Sequence, residues 1–196
     1  FYGESQVLHG VSLAVAAGER VALLGRNGAG KSTLLKAIMD AGPRADGAIV
    51  FDGTPLAGVP AHARARMGLT LVPEDRRIFP HTSVAENLRL ARHATRAGAQ
   101  PMPVEDVVTL MPMLGQLLDR KGYQLSGGQQ QMVAVGRGLV PRPRLLMLDE
   151  PAEGLAPVIV EELAGEIRKI REREGQALLL TEQNVAFARA VTDRLY

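Results

Sequence analysis

The chain has 196 residues, a formal net charge of +2, 46% hydrophobic residues and no cysteine. This length and apolar content predict a globular protein with a substantial core, and the lack of cysteine excludes disulfides and cysteine-ligated zinc. The small net charge and the 4% aromatic content argue against a nucleic-acid partner, and no apolar run approaches the roughly 18 residues of a membrane-spanning helix.

Strands and helices alternate along the chain. The candidate strands are residues 11–15, 21–24, 48–51, 69–72, 145–148 and 177–180, and the candidate helices are residues 32–39, 84–93, 104–118, 127–139 and 158–173. Several of these strands are near-continuous apolar runs, which is typical of parallel strands that are covered on both faces. The pattern predicts an α/β fold with a mostly parallel sheet and a helical insertion at about residues 84–139, where no strand candidate occurs.

The two ends of the chain carry a separate expectation. The first residue is Phe1 rather than Met, and the last three, Arg194-Leu195-Tyr196, form a strand-like pattern. We expect both ends to be truncated, and no signal peptide is visible in the residues given.

The segment Gly25-Arg26-Asn27-Gly28-Ala29-Gly30-Lys31-Ser32, here termed the phosphate loop, matches the pattern of Gly, four free positions, then Gly-Lys-Ser/Thr. It lies between a predicted strand and a predicted helix, which is the context that this motif needs. Its glycines let backbone N–H groups converge on a phosphate chain, and the following helix contributes its positive N-terminal end. The motif predicts that Lys31 reaches the β- and γ-phosphates and that the Ser32 hydroxyl binds Mg²⁺; an ordinary Gly-rich turn is the alternative.

A second glycine-rich segment, Leu125-Ser126-Gly127-Gly128-Gln129, opens the helix predicted at residues 127–139. Ser126 is a favourable N-cap, but glycine in a helix is unfavourable unless something must approach the backbone closely. A helix N-terminus with exposed N–H groups attracts anions. The chain thus has two elements that can bind phosphate but one complete set of nucleotide-binding motifs. We therefore expect this segment to contact the nucleotide of a partner chain.

Two acids, Asp149 and Glu150, follow the apolar run at residues 145–148. Carboxylates at the C-terminal end of a parallel strand lie beside the phosphate loop in an open sheet. Asp149 is therefore predicted to hold Mg²⁺ through water, and Glu150 to accept a proton from an attacking water or to orient it. Taken alone, the pair also fits a strand followed by a polar turn, since Pro151 comes next.

In this order, the motifs resemble those of the ATP-binding-cassette (ABC) family over essentially the whole chain. The phosphate loop resembles the Walker A motif, residues 145–149 resemble Walker B, and the segment at residues 125–129, from here on the signature segment, resembles the family's LSGGQ signature. The resemblance places Glu150 at the position of the catalytic glutamate and Tyr2 at that of the aromatic residue that stacks on adenine; a surface aromatic is the alternative for Tyr2. The nucleotide contacts that it implies come from Gly25, Arg26, Asn27, Gly28, Ala29, Gly30, Lys31, Ser32 and Thr33.

Three positions differ from the usual motifs of the family. In these differences the chain resembles one branch, the second ATPase subunit of branched-chain amino acid importers. Glu74 replaces a glutamine, Ala156 lies where an aspartate is usual, and Gln183 occupies the position of a histidine that contacts the γ-phosphate. Glu74 still offers Mg²⁺ a carboxylate, and the Gln183 amide donates a hydrogen bond but carries no switchable charge. These changes are compatible with nucleotide binding and leave the hydrolysis rate open. Urea and short-amide importers share Gln129-Gln130-Gln131 and are close alternatives.

The resemblance implies a P-loop ATPase of one domain, with an N-terminal antiparallel β portion. Its RecA-like core spans about residues 1–83 and 140–196, and a helical subdomain at about residues 84–139 carries the signature segment. The implied ligands are ATP and Mg²⁺. The implied catalytic residues are Lys31, Glu150 and Gln183, and the implied Mg²⁺ site comprises Ser32, Glu74 and Asp149.

The resemblance also implies partners and a location. A second cassette subunit, identical or not, would present its ATP to Ser126, Gly127, Gly128 and Gln129. Two membrane permeases would dock near residues 74–83, and an extracytoplasmic solute-binding protein would act indirectly. The implied location is the cytoplasmic face of the inner membrane, where a peripheral subunit hydrolyses ATP to power uptake of branched-chain or hydrophobic amino acids.

The same residues bear on three other functions found among ABC-type proteins. A DNA-repair ATPase would have a long coiled coil before the signature segment, and a translation factor would have two cassettes; neither pattern occurs here. A regulatory nucleotide-binding module without useful hydrolysis is favoured by Glu74 and Gln183 and opposed by Glu150. Arg76 and Arg77 fit either a permease-facing surface or a solvated loop.

Overall fold

The computed structural model describes residues 1 and 3–196, with side chains at residues 1, 3–170 and 175–196. The strands within these residues are β1 (Arg20–Leu24), β2 (Val50–Phe51), β3 (Thr54–Pro55), β4 (Leu69–Val72), β5 (Leu145–Asp149), β6 (Ala177–Glu182) and β7 (Arg194–Leu195). The main sheet has the order β4-β5-β6-β1-β7 with parallel neighbours, and β2 and β3 form a separate antiparallel pair. The predicted α/β class, with a mostly parallel sheet and an antiparallel β portion, is confirmed.

The α-helices are α1 (Lys31–Met39), α2 (Ala61–Met67), α3 (Val84–Leu90), α4 (Val104–Leu110), α5 (Gly127–Leu139), α6 (Pro157–Glu174) and α7 (Val185–Val191). Short 3₁₀ segments lie at Ala91–Ala94, Pro112–Leu117 and Gly122–Gln124. The helix predicted at residues 104–118 ends early, because Pro112 has no N–H to donate and disfavours helical geometry at Met111 (φ −128°, ψ 76°).

The strand predicted at residues 11–15 is wrong. The segment has the apolar pattern of a strand, but none of the strands within residues 3–196 pairs with it. Both this segment and β2 line a cavity of about 840 Å³. Its polar groups bond elsewhere, since the Ala14 N–H donates to the Tyr196 hydroxyl (3.2 Å) and the Ala14 carbonyl accepts from Arg194 (2.6 Å). The strand predicted at residues 48–51 shortens to β2, because only its last two residues have partners, in β3.

The main sheet is buried on both faces. Alternate residues of β5 point to opposite sides, so that Leu146 and Leu148 pack into a larger core with α3, α5 and α6, whereas Leu145 and Met147 pack into a smaller core with α1. Because β5, β6 and β1 are parallel neighbours, their carboxyl ends lie side by side. The loops that follow these three strands therefore meet at one edge of the sheet, where ligands of such sheets bind.

A buried arginine stabilises the end of α1. Arg64, on α2, is 5% exposed and donates to the carbonyls of Ala37 (3.1 Å) and Ile38 (2.8 Å) at the C-terminus of α1. It also donates to the carbonyls of Val59 (2.7 Å) and Leu56 (2.8 Å). The guanidinium thus supplies additional charged donors to carbonyls at the end of the helix and places positive charge at its negative end.

We expect Arg64→Met to lower the free energy of unfolding by about 3 kcal/mol, because several buried carbonyls lose a charged donor. Urea denaturation measures this change. Arg66→Met, which removes an exposed arginine from the same helix, is the control and is expected to cost about 0.5 kcal/mol or less. Equal losses in the two variants would contradict the role given to Arg64.

Candidate functional site

The phosphate loop connects β1 to α1, as predicted. Gly28 and Gly30 have φ of 82° and 91°, in the left-handed region that favours glycine. A Cβ at Gly30 would lie 2.6 Å from Leu8 Cδ2, so a side chain there would also collide with the chain preceding β1. The loop can therefore keep this path only with glycine, and the path ends at the N-terminus of α1, for which Gly30 is the N-cap.

Lys31 is buried at the start of α1 and lies in the centre of the loop. Its Nζ donates to the carbonyls of Gly25 (2.7 Å) and Arg26 (3.1 Å) and forms an ion pair with Glu150 Oε1 (2.8 Å). The Lys31 and Glu150 side chains are 4% and 6% exposed. Lys31, predicted to reach the β- and γ-phosphates, is thus in direct contact with Glu150, predicted to act on the attacking water.

Asp149, the last residue of β5, lies next to Ser32. Its Oδ1 accepts hydrogen bonds from the Ser32 hydroxyl (2.8 Å) and from the Thr181 hydroxyl of β6 (2.8 Å). Thr181 is fully buried. A hydroxyl and a carboxylate oxygen at this separation are the hard oxygen donors that Mg²⁺ prefers, so the residues fit the predicted metal.

Glu150 has a left-handed backbone, with φ of 45°. Its N–H donates to both the carbonyl and the hydroxyl of Thr181, each at 3.1 Å, which compensates for this unfavourable conformation. On the other side, its Oε2 accepts from Gln183 Nε2 (2.9 Å), and the same nitrogen donates to Asn27 Oδ1 (2.6 Å). Asn27, Gln183, Glu150 and Lys31 therefore form one continuous chain of contacts across the site.

The pKa values of the carboxylates in the site are shifted in opposite directions. Burial raises the pKa of Glu150, but hydrogen bonds from Lys31 and Gln183 outweigh it and leave the pKa below its ordinary value, so the carboxylate is held ionised. Burial and the neighbouring Glu150 raise the pKa of Glu153. Burial also raises the pKa of Glu182, against the opposing effect of its backbone hydrogen bonds from Asn184, Ala152 and Gln183.

A cavity of about 300 Å³ opens over these groups. It is lined by Val7, Asn27, Gly28, Gly30, Lys31, Ser32, Thr33, Glu74 and Glu150. Glu74 thus faces the same cavity as Ser32, as its predicted role requires. Outside the signature segment, five of the predicted site residues that the structure describes do not line the cavity: Gly25, Arg26 and Ala29 of the phosphate loop, and Asp149 and Gln183 beside it. Arg26 and Ala29 are exposed on the loop. Tyr2, predicted to stack on adenine, lies outside the described residues.

The signature segment does not reach this cavity. Ser126 caps α5 and forms a capping box with Gln129: the Ser126 Oγ accepts from the Gln129 N–H (3.3 Å), and the Ser126 N–H donates to Gln129 Oε1 (3.0 Å). Gly127 is exposed, and a Cβ at Gly128 would lie 2.9 Å from Ile159 Cγ2. Ser126 and Gly127 are thus exposed at a capped helix N-terminus that does not line the cavity at the chain's own phosphate loop, and a Cβ at Gly127 would lie 3.2 Å from the Arg76 guanidinium.

The segment at residues 74–83 is held by α3 and α5. Arg76 and Arg77 have φ of 60° and 47°, and Arg137 of α5 donates to both of their carbonyls (2.9 and 2.7 Å). Arg76 donates to Gln131 Oε1 (3.2 Å), whereas Arg77 is exposed. Only Arg77 therefore fits the solvated-loop interpretation, and Phe79, which is 49% exposed, adds an aromatic ring to the outer surface.

Two buried residues of the site are absent from the sequence-based prediction. Thr181 and Glu182 end β6, and both make hydrogen bonds to the loop that contains Glu150. The signal available in the sequence is a pair of polar residues directly after the apolar run at residues 177–180. The same signal had identified Asp149 and Glu150 after residues 145–148.

Comparisons with known proteins agree with this geometry. The family model for ABC transporters matches residues 8–153. BraG, a high-affinity branched-chain amino acid transport ATP-binding protein of Pseudomonas aeruginosa, is 41% identical over 196 residues, which cover all of this chain and 84% of BraG. LptB, a lipopolysaccharide export system ATP-binding protein of Escherichia coli, is 34% identical over 197 residues, which cover all of this chain and 81% of LptB.

Solved structures give the same result. Two dimeric structures of MJ0796, a bacterial ABC transporter cassette, cover 94% of this chain and 83% of their own, with TM-scores of 0.80 and 0.81 and identities of 26% and 25%. The second is a post-hydrolysis state bound to ADP and Pi. The chain belongs to the ABC transporter family and is an ATPase that binds ATP, as the motifs predict. Among the described residues, no helix combines the length and the apolarity that crossing a bilayer demands.

We expect Thr181→Val to lower the free energy of unfolding by about 1–2 kcal/mol, because the buried hydroxyl bonds to Asp149 and to the Glu150 N–H are lost while the shape is kept. Chemical denaturation without nucleotide measures the loss. Thr70→Val on β4 makes the same exchange away from the site and is the control. A smaller loss for Thr181→Val than for this control would contradict the assignment.

Proposed function

We propose that the chain is the ATP-hydrolysing subunit of an importer that takes up branched-chain or other hydrophobic amino acids. One observation carries the catalytic part of this proposal. Lys31, Ser32, Asp149, Glu150 and Gln183 all lie around the loops that follow β1, β5 and β6, and they connect to each other through contacts of 2.8–2.9 Å.

Nucleotide binding requires an exchange of partners at Lys31. The Lys31 Nζ, which pairs with Glu150 in the structure, turns to the β- and γ-phosphates, and the loop N–H groups bind the remaining phosphate oxygens. Ser32 and Asp149 would hold Mg²⁺, and Glu74 lines the same cavity as Ser32. The metal would supply positive charge to the phosphates.

Hydrolysis uses the carboxylate that this exchange releases. Glu150 accepts a proton from the attacking water, whose oxygen forms a bond to the γ-phosphorus while the bond to the ADP oxygen breaks. Gln183, already 2.9 Å from Glu150, donates its amide N–H at the γ-phosphate, and Lys31 stabilises the transition-state charge.

We expect Glu150→Gln to lower kcat for ATP by about 10²–10⁴-fold, since the amide cannot accept the proton, while the dissociation constant for ATP does not rise. Steady-state ATPase assays and binding of a fluorescent ATP analogue measure the two quantities. Glu161→Gln, at an exposed position of α6, is the matched control. Unchanged turnover in Glu150→Gln would remove the proposed base.

A complete site needs a second subunit. Ser126, Gly127, Gly128 and Gln129 do not line the chain's own cavity, and the dimeric MJ0796 cassettes support a pair of chains, which we propose to be arranged head to tail. The signature segment of one chain then caps the γ-phosphate bound by the phosphate loop of the other. The predicted division into a core at about residues 1–83 and 140–196 and a helical subdomain at about residues 84–139 fits such a closure.

A mixing experiment tests this arrangement. Lys31→Met disables the phosphate loop and Ser126→Phe disables the signature segment, so each homodimer is expected to be inactive. In a mixed dimer one site has both defects and the other has none, and activity is expected to recover to about a quarter of the wild-type value in an equimolar random mixture. No recovery, with mixed dimers shown by cross-linking, would contradict a site shared between chains.

The transport partners follow from the same family relationship. We place the docking surface for two permeases at residues 74–83, where Phe79 and Arg77 are exposed, on the cytoplasmic face of the inner membrane. A solute-binding protein delivers the cargo. BraG supports an amino acid importer, whereas LptB serves export of lipopolysaccharide, so uptake of radiolabelled leucine by the assembled transporter decides the cargo.

A further inference from the structure

Glu182 is a buried carboxylate that the proposed reaction does not use. It is the last residue of β6 and is 2% exposed. None of the ion pairs in the described part of the chain involves it. A buried charge without a counter-ion is costly unless hydrogen bonds compensate for it.

Three backbone N–H groups provide this compensation. Oε1 accepts from Ala152 (3.0 Å), and Oε2 accepts from Gln183 and Asn184 (3.0 Å each). Ala152 lies in the loop that begins with Glu150, and the other two donors lie in the turn that begins α7. The carboxylate therefore connects two loops that are 30 residues apart in the chain.

The backbone of Glu182 reaches a third loop. Its carbonyl accepts a hydrogen bond from the N–H of Gly25 (3.2 Å), the first residue of the phosphate loop. Glu182 thus contacts each of the three loops that follow β1, β5 and β6.

We propose that Glu182 is a positioning residue for ATP hydrolysis, which holds the Glu150 loop and Gln183 at a fixed separation through backbone hydrogen bonds to its carboxylate. This inference rests on the proposed role of Glu150. The geometry to be held is the 2.9 Å contact between Gln183 Nε2 and Glu150 Oε2. Displacement of either side chain by about 1 Å at a reacting centre is enough to lower a rate by about 10²-fold.

A neutral amide cannot replace this carboxylate. A glutamine at position 182 has the same shape but presents an NH₂ group to at least one of the three N–H donors. The NH₂ group and a backbone N–H then face each other as two donors. The hydrogen bond that joins one of the two loops to residue 182 is lost. Glu182→Gln therefore removes the connection while it leaves side-chain volume nearly unchanged.

Glu166 offers a matched control. It is also buried, at 7% exposed, but among the side chains that the structure describes its carboxylate contacts Lys169 Nζ alone (3.1 Å), and its Oε2 has no hydrogen-bond partner among them. It lies on α6, and no backbone N–H bond to its side chain connects two loops. Glu166→Gln therefore tests what the loss of a buried carboxylate does in general.

The test compares Glu182→Gln with Glu166→Gln in the full-length subunit, using steady-state ATPase assays and binding of a fluorescent ATP analogue. We expect Glu182→Gln to lower kcat by about 10- to 100-fold with the dissociation constant for ATP within about twofold of wild type, and Glu166→Gln to change neither. In a chain that already carries Glu150→Gln, adding Glu182→Gln is expected to lower kcat by less than about a further twofold, because Glu182 acts through Glu150. A wild-type kcat in Glu182→Gln, an equal loss in Glu166→Gln, or a loss confined to ATP affinity would overturn the proposal.

A second variant covers the case in which Glu182→Gln does not fold. Glu182→Asp keeps both acceptor oxygens but withdraws them by one methylene, so the same loss of kcat at unchanged ATP affinity is expected, and a wild-type kcat overturns the proposal. Turnover of Glu150→Gln alone separates the two hypotheses. If that variant stays active, the proposed base is wrong; if it is inactive while Glu182→Gln is fully active, only the positioning role is wrong.

Discussion

The parallel pairing of β5, β6 and β1 is the constraint on which the site depends. In this register Asp149 pairs with Thr181 and Leu24 pairs with Glu182. Side chains alternate between the faces of a sheet, so a slip of one residue would turn the Thr181 hydroxyl away from Asp149. The alternation of leucines and Met147 between two cores fixes this register, and apolar packing thereby sets the separation between the loops that bind phosphate.

The features that the sequence predicts correctly are those that depend on residues close together in the chain. Strand β4 and helix α5 begin and end where their apolar patterns and the Ser126 cap indicate, and the phosphate loop follows from eight consecutive residues. The strand predicted at residues 11–15 fails because a pattern cannot supply a pairing partner. The contact between Asn27 and Gln183 joins residues that are 156 positions apart. It depends on the order of the strands in the sheet, and the periodicity of the sequence does not reveal that order.

The ion pair between Lys31 and Glu150 compensates two buried charges. Each side chain is less than a tenth exposed, and either charge alone would be strongly unfavourable there. In the reaction that we propose, a phosphate oxygen replaces the carboxylate on Lys31, so one anion takes the place of another and the lysine stays compensated.

The capping box at Ser126 has a consequence for closure of two subunits. The cap uses a lone pair of the Ser126 oxygen to accept the Gln129 N–H, and that bond does not engage the hydroxyl hydrogen. In the arrangement that we propose, a phosphate oxygen of the partner chain's nucleotide accepts this hydrogen while the first turn of α5 keeps its cap. The cap and the proposed phosphate contact use different parts of the same hydroxyl, so neither has to break for the other to form.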